Sequence, residues 1–146
     1  MKFKHPAARK YAAHLKQKLG KPDDETRDSL IWYEPTATIA VKDEYVKHNF
    51  PKPHHDFVYT TAKSKLTPQQ ASRLPFVTGS IIWDGLKQEA TVRCGDVTAN
   101  AVTLSFVDDQ PKLASLSPAQ LKAEYARRIN NLVVNRRWKW LAALDE

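Results

Sequence analysis

Residues 117–144, SPAQLKAEYARRINNLVVNRRWKWLAAL, form the longest periodic segment of the chain. Ser117 suits an N-cap, and Pro118 suits the first helical position, where no N–H is needed. At about 100° per residue, Leu121, Tyr125, Ile129, Leu132, Val133, Trp140 and Leu144 share an arc of about 140°, the width of a core-facing stripe. The spacing predicts one helix over 117–144 with Trp140 in the core. Arg127, Arg128, Asn131, Asn135, Trp138 and Lys139 fall off the stripe. Arg136 falls inside it and must either snorkel past its apolar neighbours or meet a buried acid. Trp138, an indole among arginines and asparagines, is either a contact between elements or a stacking platform for a base.

Upstream, 76–83, 89–94 and 101–107 read as three strands joined by turns at Asp84-Gly85 and Gly95-Asp96. In the last of them Val102, Leu104 and Phe106 alternate onto one face, against which the stripe of the terminal helix is expected to pack. Further back, 29–33, 36–41 and 56–61 are rich in β-branched and aromatic residues and read as strands. Residues 42–49 are ambiguous between strand and helical turn, and a short helix from Thr67-Pro68 ends at Pro75. Near the N-terminus Ala8, Tyr11, Ala12, Leu15 and Leu19 recur at helical spacing, between Pro6 and a closing Gly20. The sum is an α+β fold: one domain over 1–146, with an antiparallel sheet of about five or six strands packed by amphipathic N- and C-terminal helices.

Charge is unevenly placed. The chain carries a net +7, but 1–22 hold seven Lys/Arg and no acid, 121–140 hold six Lys/Arg and one acid, and the rest is net acidic. Two basic ends flanking an acidic middle suit a polyanion, through counterion release, or an acidic protein face, through steering. On the N-terminal helix Lys10, Lys16 and Lys18 are the candidate contacts. On the C-terminal one they are Arg127, Arg128, Asn131, Asn135, Arg137 and Trp138. Arginine supplies phosphate contacts, asparagine reads base edges or sugar, and tryptophan stacks.

Other classes find little footing. There is no apolar run long enough to span a membrane and no apolar segment after the first lysines of the kind a secretory signal needs. The single cysteine, Cys94, excludes an internal disulfide, suits a reducing cytoplasm, and reads as a packed side chain rather than a nucleophile. No P-loop, dinucleotide glycine motif, nucleophile elbow or Cys-X-X-Cys pair is present, and nothing requires a cofactor. His48, His54, His55 and Asp56 cluster around a proline loop, but their spacing fits no established zinc pattern, and no metal site is assigned to them. Were the chain an enzyme, this loop would be its only candidate centre.

Asn131-Leu132-Val133-Val134-Asn135-Arg136-Arg137-Trp138-Lys139-Trp140, preceded by Tyr125-Ala126, resembles a helix of the type I-F CRISPR backbone subunit, which polymerises along guide RNA. That family's helix carries Tyr-Ala followed by Asn–aliphatic–small–Asn–Gly–Arg–aromatic–X–Trp. The match treats Val134 as an insertion and places Arg136 at the glycine, while Leu141-Ala142-Ala143 stand where the family has Arg-Asn-Arg. The resemblance implies a guide-RNA-binding role with Arg137 in the shared motif, or a phage- or plasmid-borne relative that interferes with the parent complex. Composition and resemblance together lead to the expectation of a small, basic, non-catalytic protein that binds RNA or single-stranded nucleic acid. The alternative is an inhibitor or adaptor, such as an anti-CRISPR subunit mimic, that docks on an acidic protein surface in a larger complex.

Overall fold

The computed structural model describes residues 1–135 and 138–144. It begins with helix α1 (Pro6–Leu19), then four strands: β1 (Asp24–Glu25), β2 (Ser29–Tyr33), β3 (Thr38–His48) and β4 (His54–Lys63). Two short helices, α2 (Pro68–Ser72) and α3 (Leu74–Val77), lead into the hairpin β5 (Ile81–Asp84) and β6 (Glu89–Cys94). Helix α4 (Val97–Asp108), a 3-10 turn (Gln110–Leu113), α5 (Pro118–Asn131) and α6 (Lys139–Ala142) complete it. The six strands form one antiparallel sheet in the order β1-β2-β3-β4-β6-β5, so the fold is α+β as expected.

Register carries one set of residues to the helix side. Leu30 pairs with Val41 and Trp32 with Ile39, Val41 then faces Val58, and Thr60 faces Val92; all are buried. Side chains alternate across a strand, and on the other face Tyr33 and Ile82 stay more than half exposed. Residues 42–49, ambiguous in sequence, continue β3 as far as His48 through an irregularity. There, between the pairs Val41–Val58 and Val46–Asp56, four residues of β3 face a single residue of β4.

The third expected strand, 101–107, is instead the middle of α4, the most buried helix of the fold. Of its twelve residues, all but Thr98 and Asp108 are buried. A helix buried all round has no 3.6-residue apolar stripe, and the chance alternation of Val102, Leu104 and Phe106 with Thr103 and Ser105 imitates a strand. The start signal was Asp96, whose carboxylate accepts from Ala99 N at 2.7 Å as an N-cap. Thr103 needs no partner on another element for its hydroxyl proton, since Oγ1 donates to the Ala99 carbonyl one turn back, at 3.0 Å. Asn100 Nδ2 bonds the Val58 carbonyl and Thr60 Oγ1, each at 3.0 Å, and so pins α4 to the sheet. The strand expected over 76–83 is likewise only Ile81–Asp84. Phe76 and Val77 belong instead to α3, which continues past Pro75, the expected helix end, because a proline in the first turn costs no hydrogen bond.

α1 packs on β3, and α4 on β4 and β6. The two helices are tied by Tyr11, whose hydroxyl accepts from Val97 N at 2.9 Å. α5 lies on α4: Tyr125 meets Phe106 edge-on at 5.3 Å, and the Tyr125 hydroxyl lies 3.3 Å from Thr103 Oγ1. The expected contact between the terminal stripe and Phe106 therefore forms, but between two helices rather than between helix and sheet.

Candidate functional site

The C-terminal basic face is built differently from the expectation of one helix over 117–144. α5 opens with a full capping box, in which Ser117 Oγ accepts from Gln120 N (3.2 Å) and Gln120 Oε1 from Ser117 N (2.8 Å). It closes at Leu132, which adopts φ 50° and ψ 51°, with Val133 N bonded to the Arg128 carbonyl at 3.0 Å in the Schellman pattern. Asn130-Asn131 and the β-branched pair Val133-Val134 are poor helix formers, and they interrupt the periodicity. The next helix among the described residues, α6, begins at Lys139.

This break removes the geometry that set Trp138 apart from Trp140. Trp138 is the extended residue before α6. Its ring stacks on that of Trp140 with centroids 6.2 Å apart, and both are about 2% exposed or less. Trp140 is in the core as expected; Trp138, expected on the surface, is a second core residue. Arg128 is also buried, and its Nη1 reaches Asp109 Oδ2 at 2.7 Å. Asn135 Nδ2 donates to the same carboxylate oxygen. Glu124 takes Arg127 (2.6 and 2.9 Å) and Arg128 Nε (3.0 Å). The Arg127 bonds, ahead of those from Arg128, hold its carboxyl down at about 2. Asn131 Nδ2 returns to the Arg127 carbonyl at 2.8 Å. Arg136 and Arg137 lie outside the described residues. Of the segment that carries the CRISPR resemblance, the described residues fall at the end of α5, in the non-helical 133–135, and at Trp138 and the start of α6.

α1 is the opposite case. Its apolar seam, Ala8, Ala12 and Leu15, is buried, and Arg9, Lys10, His14 and Lys16 are exposed. No ion pair between described residues engages Arg9, Lys10 or Lys16. Lys18 is half-buried and has an interaction of its own. The first turn holds no acid. Asp43 of β3 substitutes for one, accepting from Lys4 N and His5 N at 3.0 Å, and these bonds hold its carboxyl below the usual value.

A third cluster forms where β3 ends and β4 begins. His48 and His54 face each other across the ladder, and Asp56 follows His54 on the same side of β4. His55, adjacent in sequence, points elsewhere and stacks on Tyr45 with ring centroids 3.5 Å apart. Asp56 is 1% exposed. Its Oδ2 accepts from Ser80 Oγ at 3.1 Å and lies 3.2 Å from His48 Nδ1 and 3.8 Å from Arg93 Nε. Its Oδ1 has no aligned hydrogen-bond donor, although His54 Nε2 is 2.9 Å away. The far nitrogens are held too: His48 Nε2 lies 3.2 Å from Thr78 Oγ1, and His54 Nδ1 lies 2.6 Å from the Lys52 carbonyl. Burial holds the His48 imidazole below its ordinary value, against the pull of Asp56 and with the help of His54 and Arg93. Of the four sequence candidates the fold gathers three and adds Thr78, Ser80 and Arg93, which no local spacing marks. Cys94 is not a nucleophile here, because burial pushes its thiol up to about 12.

No protein family, curated protein or solved structure matches this chain. Among the described residues no helix is long and apolar enough to cross a membrane.

Proposed function

We propose that this chain is a non-catalytic binding protein for single-stranded nucleic acid, RNA above all, and that it holds the phosphate backbone on α1. One observation carries the reading: Arg9, Lys10 and Lys16 stand exposed on one helix, outside every ion pair among the described residues, with Lys2, Lys4 and Lys21 before and after them. Lys16 and Lys21 share a cleft with Asp23, Asp24 and Glu25 but close no ion pair with them, and exposed charges of this kind contribute little to folding. A polyanion releases its counterions to such a surface, and affinity follows. The described residues of the C-terminal segment have no part in this reading: Arg127 is exposed but paired with Glu124, and Arg128 is buried against Asp109. The competing assignment, an inhibitor or adaptor docking on an acidic protein, draws on the same helix.

The test is the anisotropy of a labelled single-stranded RNA oligonucleotide titrated with the full chain at low salt. Binding is expected, weakened by roughly an order of magnitude or more in the triple variant Arg9→Gln, Lys10→Gln, Lys16→Gln. RNA binding that survives this variant unchanged rejects α1 as the contact surface. Absence of RNA binding, with α1-dependent capture of an acidic protein, replaces the reading with the adaptor.

A further inference from the structure

We propose that His48, His54 and Asp56 form a binding site for one divalent first-row transition metal ion, zinc foremost. The ligand atoms would be His48 Nδ1, His54 Nε2 and the Asp56 carboxylate, which lie within 4.8 Å of one another. The inference is independent of the nucleic-acid reading and rests on other residues.

Tautomer geometry is the first argument. A backbone carbonyl only accepts, so the 2.6 Å contact between His54 Nδ1 and the Lys52 oxygen places the ring proton on Nδ1. A ring protonated there alone keeps its lone pair on Nε2, 2.9 Å from Asp56 Oδ1 and not aligned with it as a hydrogen bond. What reconciles these two atoms at that distance is a cation, either a second ring proton or a metal ion. His48 Nδ1 lies 3.2 Å from Asp56 Oδ2 and 3.0 Å from Ser80 Oγ, which itself donates to Asp56. His48 must therefore give up its Nδ1 proton and its Ser80 contact to ligate, its Nε2 then taking the proton against the Thr78 hydroxyl. For His54, one nitrogen on a protein oxygen and the other beside the shared centre is how metal-ligating histidines are oriented.

Distance and burial agree. Ligand atoms each about 2.1 Å from one ion stand roughly 3.0–3.4 Å apart; the two histidine–carboxylate separations are 2.9 and 3.2 Å, and the set as a whole, within 4.8 Å, closes around the ion on binding. A carboxylate 1% exposed, with one oxygen lacking a hydrogen bond, is costly unless paired or coordinated. The two imidazole side chains are 19% and 25% exposed, which leaves an entry path and room for water as the remaining ligand. Two imidazoles and one carboxylate suit zinc or its first-row neighbours, not magnesium, which prefers oxygen. Arg93 is the competitor. Its Nε, 3.8 Å from Asp56 Oδ2, supplies the cation that neutralises this carboxylate when no metal does.

The experiment uses the untagged full chain, stripped with chelator and titrated calorimetrically with Zn²⁺, with Co²⁺ added in parallel for its visible absorption. One Zn²⁺ per chain is expected. Loss of binding is expected in His54→Ala and no change in His55→Ala. Tighter binding is expected in Arg93→Gln, and affinity about 10–100-fold weaker in Thr78→Ala. Histidine ring resonances of the wild-type chain give a reading that does not depend on any variant folding: His48 and His54 should shift on Zn²⁺ addition while His14 stays in place. No Zn²⁺ uptake, uptake unaltered in His54→Ala, or ring shifts confined to other histidines overturns the proposal and leaves His54 and Asp56 a plain ion pair.

Discussion

α1 and α5 are both fourteen residues long, both begin with proline, and both are amphipathic and basic. Their charges have opposite fates. On α5, Arg127 and Arg128 meet Glu124 one turn back, and Arg128 also meets Asp109, nineteen residues earlier in the chain. On α1, Arg9, Lys10 and Lys16 meet no such partner among the described residues. A count of cations cannot tell these helices apart, because what differs is whether the fold delivers an acid to them. Charge met by a buried acid belongs to the architecture, and charge left in solvent is available to a ligand.

The strongest way to break this contrast is at Trp138. If the C-terminal segment is architecture, Trp138→Ala removes a core indole and costs about 3–5 kcal/mol, read as an early denaturation midpoint. A variant that melts like the wild type would return Trp138 to the surface and α5 to the list of contact helices. Next is Arg128→Ala, which takes from Asp109, about 6% exposed, its buried cation and leaves it Asn135 and the exposed Lys112. Breaking a buried pair from one side costs roughly 3 kcal/mol or more, and a loss within error of zero would mean that the pair is solvated. Leu132→Gly works in the other direction. A left-handed conformation costs a non-glycine residue about 1–2 kcal/mol. Because Leu132 is already 56% exposed, glycine there should raise stability by roughly 1 kcal/mol. Destabilisation would instead favour a continuous helix through this point. The smallest effect is expected on α1, where Arg9→Gln, Lys10→Gln and Lys16→Gln together should move the melting midpoint by little, since exposed charges contribute little to folding.

Acid titration sharpens the same contrast. The carboxyl of Glu124 is held near 2, from an ordinary 4.5. Its pairing with Arg127 and Arg128 therefore stabilises the fold above about pH 4.5, and that contribution is lost as pH falls toward 2. Glu124→Gln should flatten the stability profile across that window and leave the profile above it parallel to wild type.

The pattern of misreadings has a physical cause. Strands with one buried face, such as β2 and β6, and a helix with one apolar seam, such as α1, announce their period, and all three were legible. α4 is buried all round and has no polar face to set a phase, so Val102, Leu104 and Phe106 passed for strand alternation. The end of α5 was hidden because its left-handed residue is Leu132 rather than glycine. At the histidine cluster the sequence offered His48, His54, His55 and Asp56 together; only the β3–β4 register separates His55 from the others. Ser80, Thr78 and Arg93 come from distant elements, and no local pattern could have placed them.

The division between structural and available charge is tested most directly by the salt dependence of RNA affinity, measured side by side for three chains: the wild type, the Arg9/Lys10/Lys16→Gln variant, and Arg127→Gln. For single strands the log–log slope changes by about 0.7 per phosphate contact. The α1 variant should therefore flatten the slope by roughly 2, while Arg127→Gln leaves it as in the wild type. A slope that flattens in Arg127→Gln and stays unchanged in the α1 variant would contradict the division outright.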